Sequence, residues 1–200
     1  MINLFRGCLL SLCMLCFSAQ ALPLVLVDVA GILLGVKGVN VGGTLYDVEF
    51  IDGTCAEVFS GCDVAAIDFP FSSRTEAETA GNALLSQVFR DTHVGKFDTH
   101  SELTWGCIGA DIGHCAVLTP VGLLGSTDID MVSTVNHAAP LLDELFSVNV
   151  QLEFLNTSLE GTTVWARWSP SSQTVPEPRT IWSLCIGLAI IVATRRRLTL

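Results

Sequence analysis

The sequence predicts an α+β fold, a β-rich single domain with one central helix at about residues 75–90 laid over one face of a sheet of about six to eight strands. Three observations carry this reading. Strand-like patterns of β-branched and aromatic residues, punctuated by glycine turns, occupy most of residues 22–53 and 114–170. One stretch between them, "SSRTEAETAGNALLSQVFRD", shows helical periodicity instead. The two ends are apolar segments beside arginine, which read as export and membrane signals and are set apart from the fold.

The opening "MINLFRGCLLSLCMLCFSAQALP" places Arg6 ahead of an apolar run from Cys8 to Phe17, and Ala19-Gln20-Ala21 then matches the small-x-small pattern of a signal peptidase site. Residues 1–21 are therefore expected to be a signal peptide cut after Ala21. The run is short for a membrane anchor. Cys13-Met14-Leu15 also lacks the small residues that lipid attachment at Cys16 would need.

Residues 22–168 form the expected exported domain. In "LVLVDVAGILLGVKGVNVGGTLYDVEFIDGTC", Gly42-Gly43 is a two-residue hairpin signal, and Leu45, Val48 and Phe50 supply apolar surface to the second arm. For the helix, Ser73 or Thr75 suits the N-cap, and Glu76 and Glu78 suit the positive end of the dipole. Ala77, Ala80, Leu84, Leu85, Val88 and Phe89 fall on one helical face. "THVGKFDTHSELTWGC" breaks into turns and short segments. "HCAVLTPVGL", "STDIDMVSTVNHAA", "LFSVNVQLEFLN" and "TTVWARWSP" then read as strands, with residues 169–174 as a linker.

Export changes the meaning of the cysteines. Cys8, Cys13 and Cys16 leave with the signal peptide and Cys185 lies in the apolar tail, so Cys55, Cys62, Cys107 and Cys115 remain, an even count suited to an oxidising compartment. Four cysteines allow three pairings, of which two local bridges are the simplest. Between residues 22 and 174 there are 19 Asp and Glu against five Lys and Arg, a formal charge of −14. Phosphate backbones are bound by basic patches, so nucleic acid is excluded as an expected partner. The acidic surface favours solubility and repels anionic membranes.

The tail, "VPEPRTIWSLCIGLAIIVATRRR", joins a stiff tetrapeptide, Val175-Pro176-Glu177-Pro178, to an uncharged apolar run and to Arg195, Arg196 and Arg197. A helix over residues 180–194 at about 1.5 Å per residue reaches roughly 22 Å, short of a hydrocarbon core of roughly 30 Å, a shortfall that flanking residues or bilayer thinning can absorb and that matters less for a segment held only briefly. The arginines stay cytoplasmic by the positive-inside rule, which puts the domain outside, in agreement with the signal peptide. Pro176 and Pro178 hold the preceding residues extended and display the Glu177 carboxylate between two rings, a low-entropy recognition strand.

This constellation resembles the PEP-CTERM sorting signal of Gram-negative bacteria. The resemblance covers about 25 residues, 175–200. It implies that Pro176, Glu177 and Pro178 are the motif recognised by exosortase, a membrane-embedded processing enzyme, that the apolar run holds the chain in the membrane, and that Arg195, Arg196 and Arg197 stop transfer. It further implies a role at the cell surface or in extracellular polysaccharide and biofilm, and a final location at or beyond that surface. Arg179 departs from the pattern, where a small or hydroxylic residue is more usual. "GTLYDVEFIDGTC", "AETAGNALLSQVF" and "LTPVG" also resemble a domain that recurs ahead of such tails.

No catalytic constellation emerges. GxSxG and HExxH are absent, no Cys-x-x-Cys supports zinc, and His93, His100, His114 and His137 have no standard ligand spacing. Asp128 and Asp130 share a strand side but lack the EF-hand continuation. No cofactor or metal is expected. Trp105, Trp165 and Trp168 would be the stacking residues of the alternative reading, a secreted carbohydrate- or small-ligand-binding module. In "VWARW" one of the two tryptophans, lying on opposite strand faces, would have to be surplus to the core.

Overall fold

The computed structural model describes residues 22–107, 113–138 and 140–172. The expected signal peptide with Ala19 and Ala21, the expected motif Val175–Pro178, the apolar tail and Arg195–Arg197 lie outside the described residues. Among the described residues no helix is long and apolar enough to cross a membrane.

Seven strands form one mixed sheet, and the β-rich α+β class holds. They are β1 (Leu24–Val27), β2 (Leu33–Val41), β3 (Thr44–Ile51), β4 (His114–Leu124), β5 (Asp128–His137), β6 (Glu144–Gln151) and β7 (Thr163–Pro170). The spatial order is β1-β2-β3-β7-β4-β5-β6. Two antiparallel meanders, one from each half of the chain, are joined by β7, which runs antiparallel to β3 and parallel to β4. β7 extends through Ser169 and Pro170, the first two residues of the stretch expected as a linker.

The β2–β3 hairpin turns at Gly42-Gly43 as its residues predict. Both have positive φ, 59° and 97°, and Val41 pairs with Thr44 across the two-residue loop. Positive φ at both central positions matches the right-handed twist of the flanking strands, and glycine reaches it without a Cβ clash. Val48 and Phe50 are buried, and Leu45 points to the opposite side of the strand.

The helix lies where periodicity puts it. α-Helical geometry runs from Arg74 to Ala83, and a π-turn over Leu84–Val88 closes it through Phe89 N–H donating to Leu84 C=O at 2.9 Å. Ser73 is the N-cap, its hydroxyl accepting from Glu76 N–H, while the Glu76 carboxylate accepts from Ser72 N–H at 2.9 Å. Those bonds, the one from the Ser72 backbone foremost, hold the Glu76 carboxyl below its ordinary pKa. Ala77, Ala80, Leu84, Val88 and Phe89 are buried on the sheet and Leu85 is half-buried. The segment lies across β2, β4, β5 and β6 and is held near both ends. Arg74 pairs with Asp130 on β5, and Gln87 clasps the Asn40 backbone on β2, accepting from its N–H at 3.0 Å and donating to its C=O at 2.8 Å.

One helix does not complete the fold. The other face of the sheet is covered in part by residues 55–69, which contain two one-turn helices, α1 (Cys55–Val58) and α2 (Ala65–Asp68); the helix over Arg74–Ala83 is α3. Cys55, Val58, Phe59, Cys62 and Phe69 are buried there with Leu118, Ile129, Met131, Leu155 and Trp165. The domain is therefore three layers, helix, sheet and a thin helical cap. The expectation of one central helix is corrected to that extent, because apolar side chains stand on both faces of the central strands.

β2 and β3 approach unusually closely at Gly35, where an added Cβ would run into the carbonyl oxygen of Val48 and lie 3.1 Å from the Glu49 Cα. Both obstacles are backbone and cannot rotate away. Gly35→Ala is expected to lower unfolding free energy by more than about 2 kcal/mol in urea denaturation of the oxidised protein.

Candidate functional site

The predicted site residues fall into two groups. The expected sorting motif lies outside the described residues, and the cysteines lie within them. Cys55 is bonded to Cys62 and Cys107 to Cys115, the two local bridges, with sequence separations of 7 and 8.

The first bridge holds the cap on the sheet. Thr54 starts α1, and both its N–H and its hydroxyl donate to the Glu57 carboxylate, at 2.8 and 2.9 Å, which lowers the Glu57 pKa. Cys55, Val58, Phe59 and Cys62 then follow at helical spacing and face inward. Gly61 and Cys62 turn the chain with φ of 105° and 55°. For a non-glycine residue the left-handed conformation costs about 1–2 kcal/mol, and here it lets the Cys62 sulfur reach back to Cys55. Phe59 meets Trp165 edge-on at 5.5 Å and Phe69 at 5.4 Å. Full burial of such a ring contributes about 1.5–3 kcal/mol before any geometric preference is counted.

Trp165 is fully buried, and its indole N–H donates to the Gly53 carbonyl at 3.0 Å. Trp168, on the opposite face, is 4% exposed, donates to Thr119 Oγ1 at 3.2 Å and packs edge-on against Phe71 at 5.6 Å. Neither tryptophan is surplus, since each anchors one cover of the sheet. Trp165 and Trp168 are thus core residues and are not available as stacking residues of the alternative reading, and Trp105 alone of the three is partly exposed, at 40%.

A cleft of about 250 Å³ opens between the β2–β3 hairpin and the start of α3, lined in part by Gly42, Tyr46, Phe71, Glu76 and Thr79. It falls below the roughly 300–1,000 Å³ of ordinary small-molecule pockets. Its carboxylate, Glu76, is already engaged as the helix cap.

The acidic candidates are likewise spoken for. Asp130 is 13% exposed in its ion pair with Arg74, at 2.9 Å, and the Asn149 amide, oriented to donate, lies 3.0 Å from the same carboxylate. Asp128 accepts from the neighbouring Thr127 hydroxyl. The pair expected to be on one side of the strand thus does not form a calcium cage. His93 is exposed, and His100 pairs with Glu102 at 2.7 Å. His114 and His137 stand opposite one another on β4 and β5.

Sequence reading missed Asp52, Gly53 and Thr157, a polar knot beneath the first disulfide. Thr157 Oγ1 accepts from Gly53 N–H at 3.0 Å and lies 3.2 Å from Asp52 Oδ1. Burial raises the Asp52 carboxyl above its ordinary pKa, and the Thr157 hydrogen bond only partly offsets this. A threonine in an irregular segment carries no one-dimensional signal of a partner about a hundred residues away. The second bridge ties β4 to the 89–107 connection, which Asn136 also holds by donating to Phe97 C=O at 2.6 Å.

Comparison of the chain with family models, with curated proteins and with solved structures finds no match in any of the three.

Two outcomes follow from this geometry. Replacing Cys55 and Cys62 together by serine should lower stability by about 2.5 kcal/mol, from the entropy of a loop this short. The change is read from urea unfolding followed by tryptophan emission, which should shift to the red as Trp165 loses cover. Asp52→Asn keeps an acceptor for Thr157 and removes a charge whose ionisation opposes folding. A raised folded-state pKa means that this opposition is absent below the unfolded value and grows as pH rises through the folded one. The variant should therefore melt higher than wild type at neutral pH, and the advantage should fade as pH falls toward 3.8 and be gone below it.

Proposed function

We propose that this chain is an exported, non-enzymatic protein of the cell surface or extracellular matrix, sorted and processed by exosortase through Pro176, Glu177 and Pro178. The observation that carries the reading is the sequence of the tail, in which a rigid P-E-P strand, a short apolar run and Arg195–Arg197 follow one another on a chain that begins with a signal peptide. Signal peptidase removes residues 1–21 after Ala21. The apolar segment then anchors the domain in transit, and the Glu177 carboxylate is offered to the processing enzyme just outside the bilayer. Extracellular polysaccharide is the proposed surrounding and partner.

Two features of the domain support the reading. Cys55–Cys62 and Cys107–Cys115 are the kind of bridges that persist in an oxidising compartment outside the cytoplasm. β1 begins at Leu24, so a cut after Ala21 leaves every strand of the sheet intact. The proposal assigns no catalysis; the use of Glu57 and Glu76 as caps, of Asp130 in an ion pair and of Trp165 and Trp168 as anchors supports that choice.

Glu177→Ala should leave the tail uncut in a host carrying exosortase, while signal-peptide removal proceeds normally. Intact mass of the isolated protein reads both cuts at once. Equal processing of variant and wild type would remove motif recognition from the proposal.

A further inference from the structure

The geometry points to a metal-binding site made by His114 and His137, a two-imidazole chelate for a borderline divalent cation such as Zn²⁺, Ni²⁺ or Cu²⁺. The two histidines are direct partners in the antiparallel β4–β5 register, and their rings lie 5.7 Å apart, centre to centre, at 47°. Directly opposed residues carry their Cβ atoms about 4.5–5.5 Å apart on the same sheet face. Their chain neighbours Cys115 and Asn136, also paired, are fully buried under the α3 side. Alternation therefore puts both imidazoles on the opposite side. The cap of that face packs around Leu118, Ile129 and Met131, away from this end of the two strands, and both histidines are only half-buried.

The spacing suits a shared ion. Two imidazole nitrogens bound at about 2.0–2.1 Å in a tetrahedral shell put their ring centres roughly 5 Å apart, close to the 5.7 Å between these two rings. The backbone is already fixed by the β4–β5 ladder and by Cys107–Cys115 one residue away. Preorganisation of this kind lowers the cost of ordering the ligands on binding. Among the described residues no group of three or more His, Cys, Asp or Glu side chains is placed to hold a metal, so the proposal rests on these two imidazoles as its protein ligands. Neutral imidazole selects zinc, copper or nickel over calcium or magnesium, and Cu²⁺ should bind tightest of the divalent series. The charge of −14 over residues 22–174 draws cations toward the surface.

The test is calorimetric titration of the oxidised exported protein with Ni²⁺ and with Cu²⁺, backed by electron paramagnetic resonance of the Cu²⁺ complex. One ion per chain is expected, with two coupled imidazole nitrogens. His114→Gln and His137→Gln should each weaken binding at least tenfold and leave one coupled nitrogen, with the unfolding midpoint of the metal-free protein near wild type. The His93→Gln/His100→Gln double variant should bind as wild type does. Unchanged affinity in either single variant, a loss that follows His93 and His100 instead, or no binding to the wild type would overturn the assignment.

Discussion

The structure depends on β7 standing between β3 and β4. Without it the chain is two three-stranded meanders, β1-β2-β3 and β4-β5-β6, with no direct ladder between them. β7 supplies six paired positions to β3, from Tyr46↔Pro170 to Ile51↔Trp165, and three to β4, from Ala116↔Thr163 to Leu118↔Trp165. Because it is the middle strand, both its faces must be buried, and the sequence meets this with Trp165 on one side and Trp168 on the other. Each indole N–H finds an acceptor, which a buried donor requires. The two covers of the sheet are in effect organised around these two rings.

The covers are held by different means, and the difference follows from their size. The α3 layer and its π-turn bury a long apolar face, and Arg74 and Gln87 orient it by bonds to β5 and β2. The cap over the other face has only two single-turn helices, far too short to persist on propensity alone. A disulfide and the Phe59–Trp165 contact do there what length does for α3. Basic side chains are few, and two of the five in residues 22–174 are used in pairs, Arg74 with Asp130 and Arg167 with Glu49 across β7 and β3. The second pair is exposed on both sides and contributes at most about 1 kcal/mol. Other carboxylates accept local hydrogen bonds instead, as Glu57 and Glu76 do at the helix starts.

Much of this was legible in one dimension. The Gly42-Gly43 turn, the Ser73 cap, the helical face from Ala77 to Phe89 and the four strands of the second half stand where their local chemistry puts them, because each signal is a short-range pattern repeated several times. The cap was the failure. Cys55, Val58, Phe59 and Cys62 keep helical spacing, and Thr54 with Glu57 is a capping pair, yet a single turn between two cysteines reads equally well as a loop closed by a bridge. What it hides is tertiary, since only the neighbours of Trp165 show that a second face needs covering. The same holds for the tryptophan platform, where strand alternation correctly put Trp165 and Trp168 on opposite faces but could not show that both faces were occupied. Asp52 with Thr157, and His114 with His137, are joined by topology and register, which no local pattern specifies.

The position of β7 also orders the folding of the chain. The two disulfides close loops of 7 and 8 residues, and the hairpins of each meander pair neighbours in sequence, so these contacts form at little entropic cost. The β3–β7 ladder is of another kind, joining residues such as Glu49 and Arg167 that lie 118 apart. Contacts of that separation slow folding, because loop closure precedes the gain from pairing. The centre of the sheet, both tryptophan anchors and the footing of the cap therefore all wait for the last strand, which ends at Pro170. Until β7 inserts, β3 and β4 each present an open edge, the configuration most prone to pair with another chain. An acidic surface of net −14 keeps such partly folded chains apart by mutual repulsion, which gives the charge excess a role during folding as well as after it.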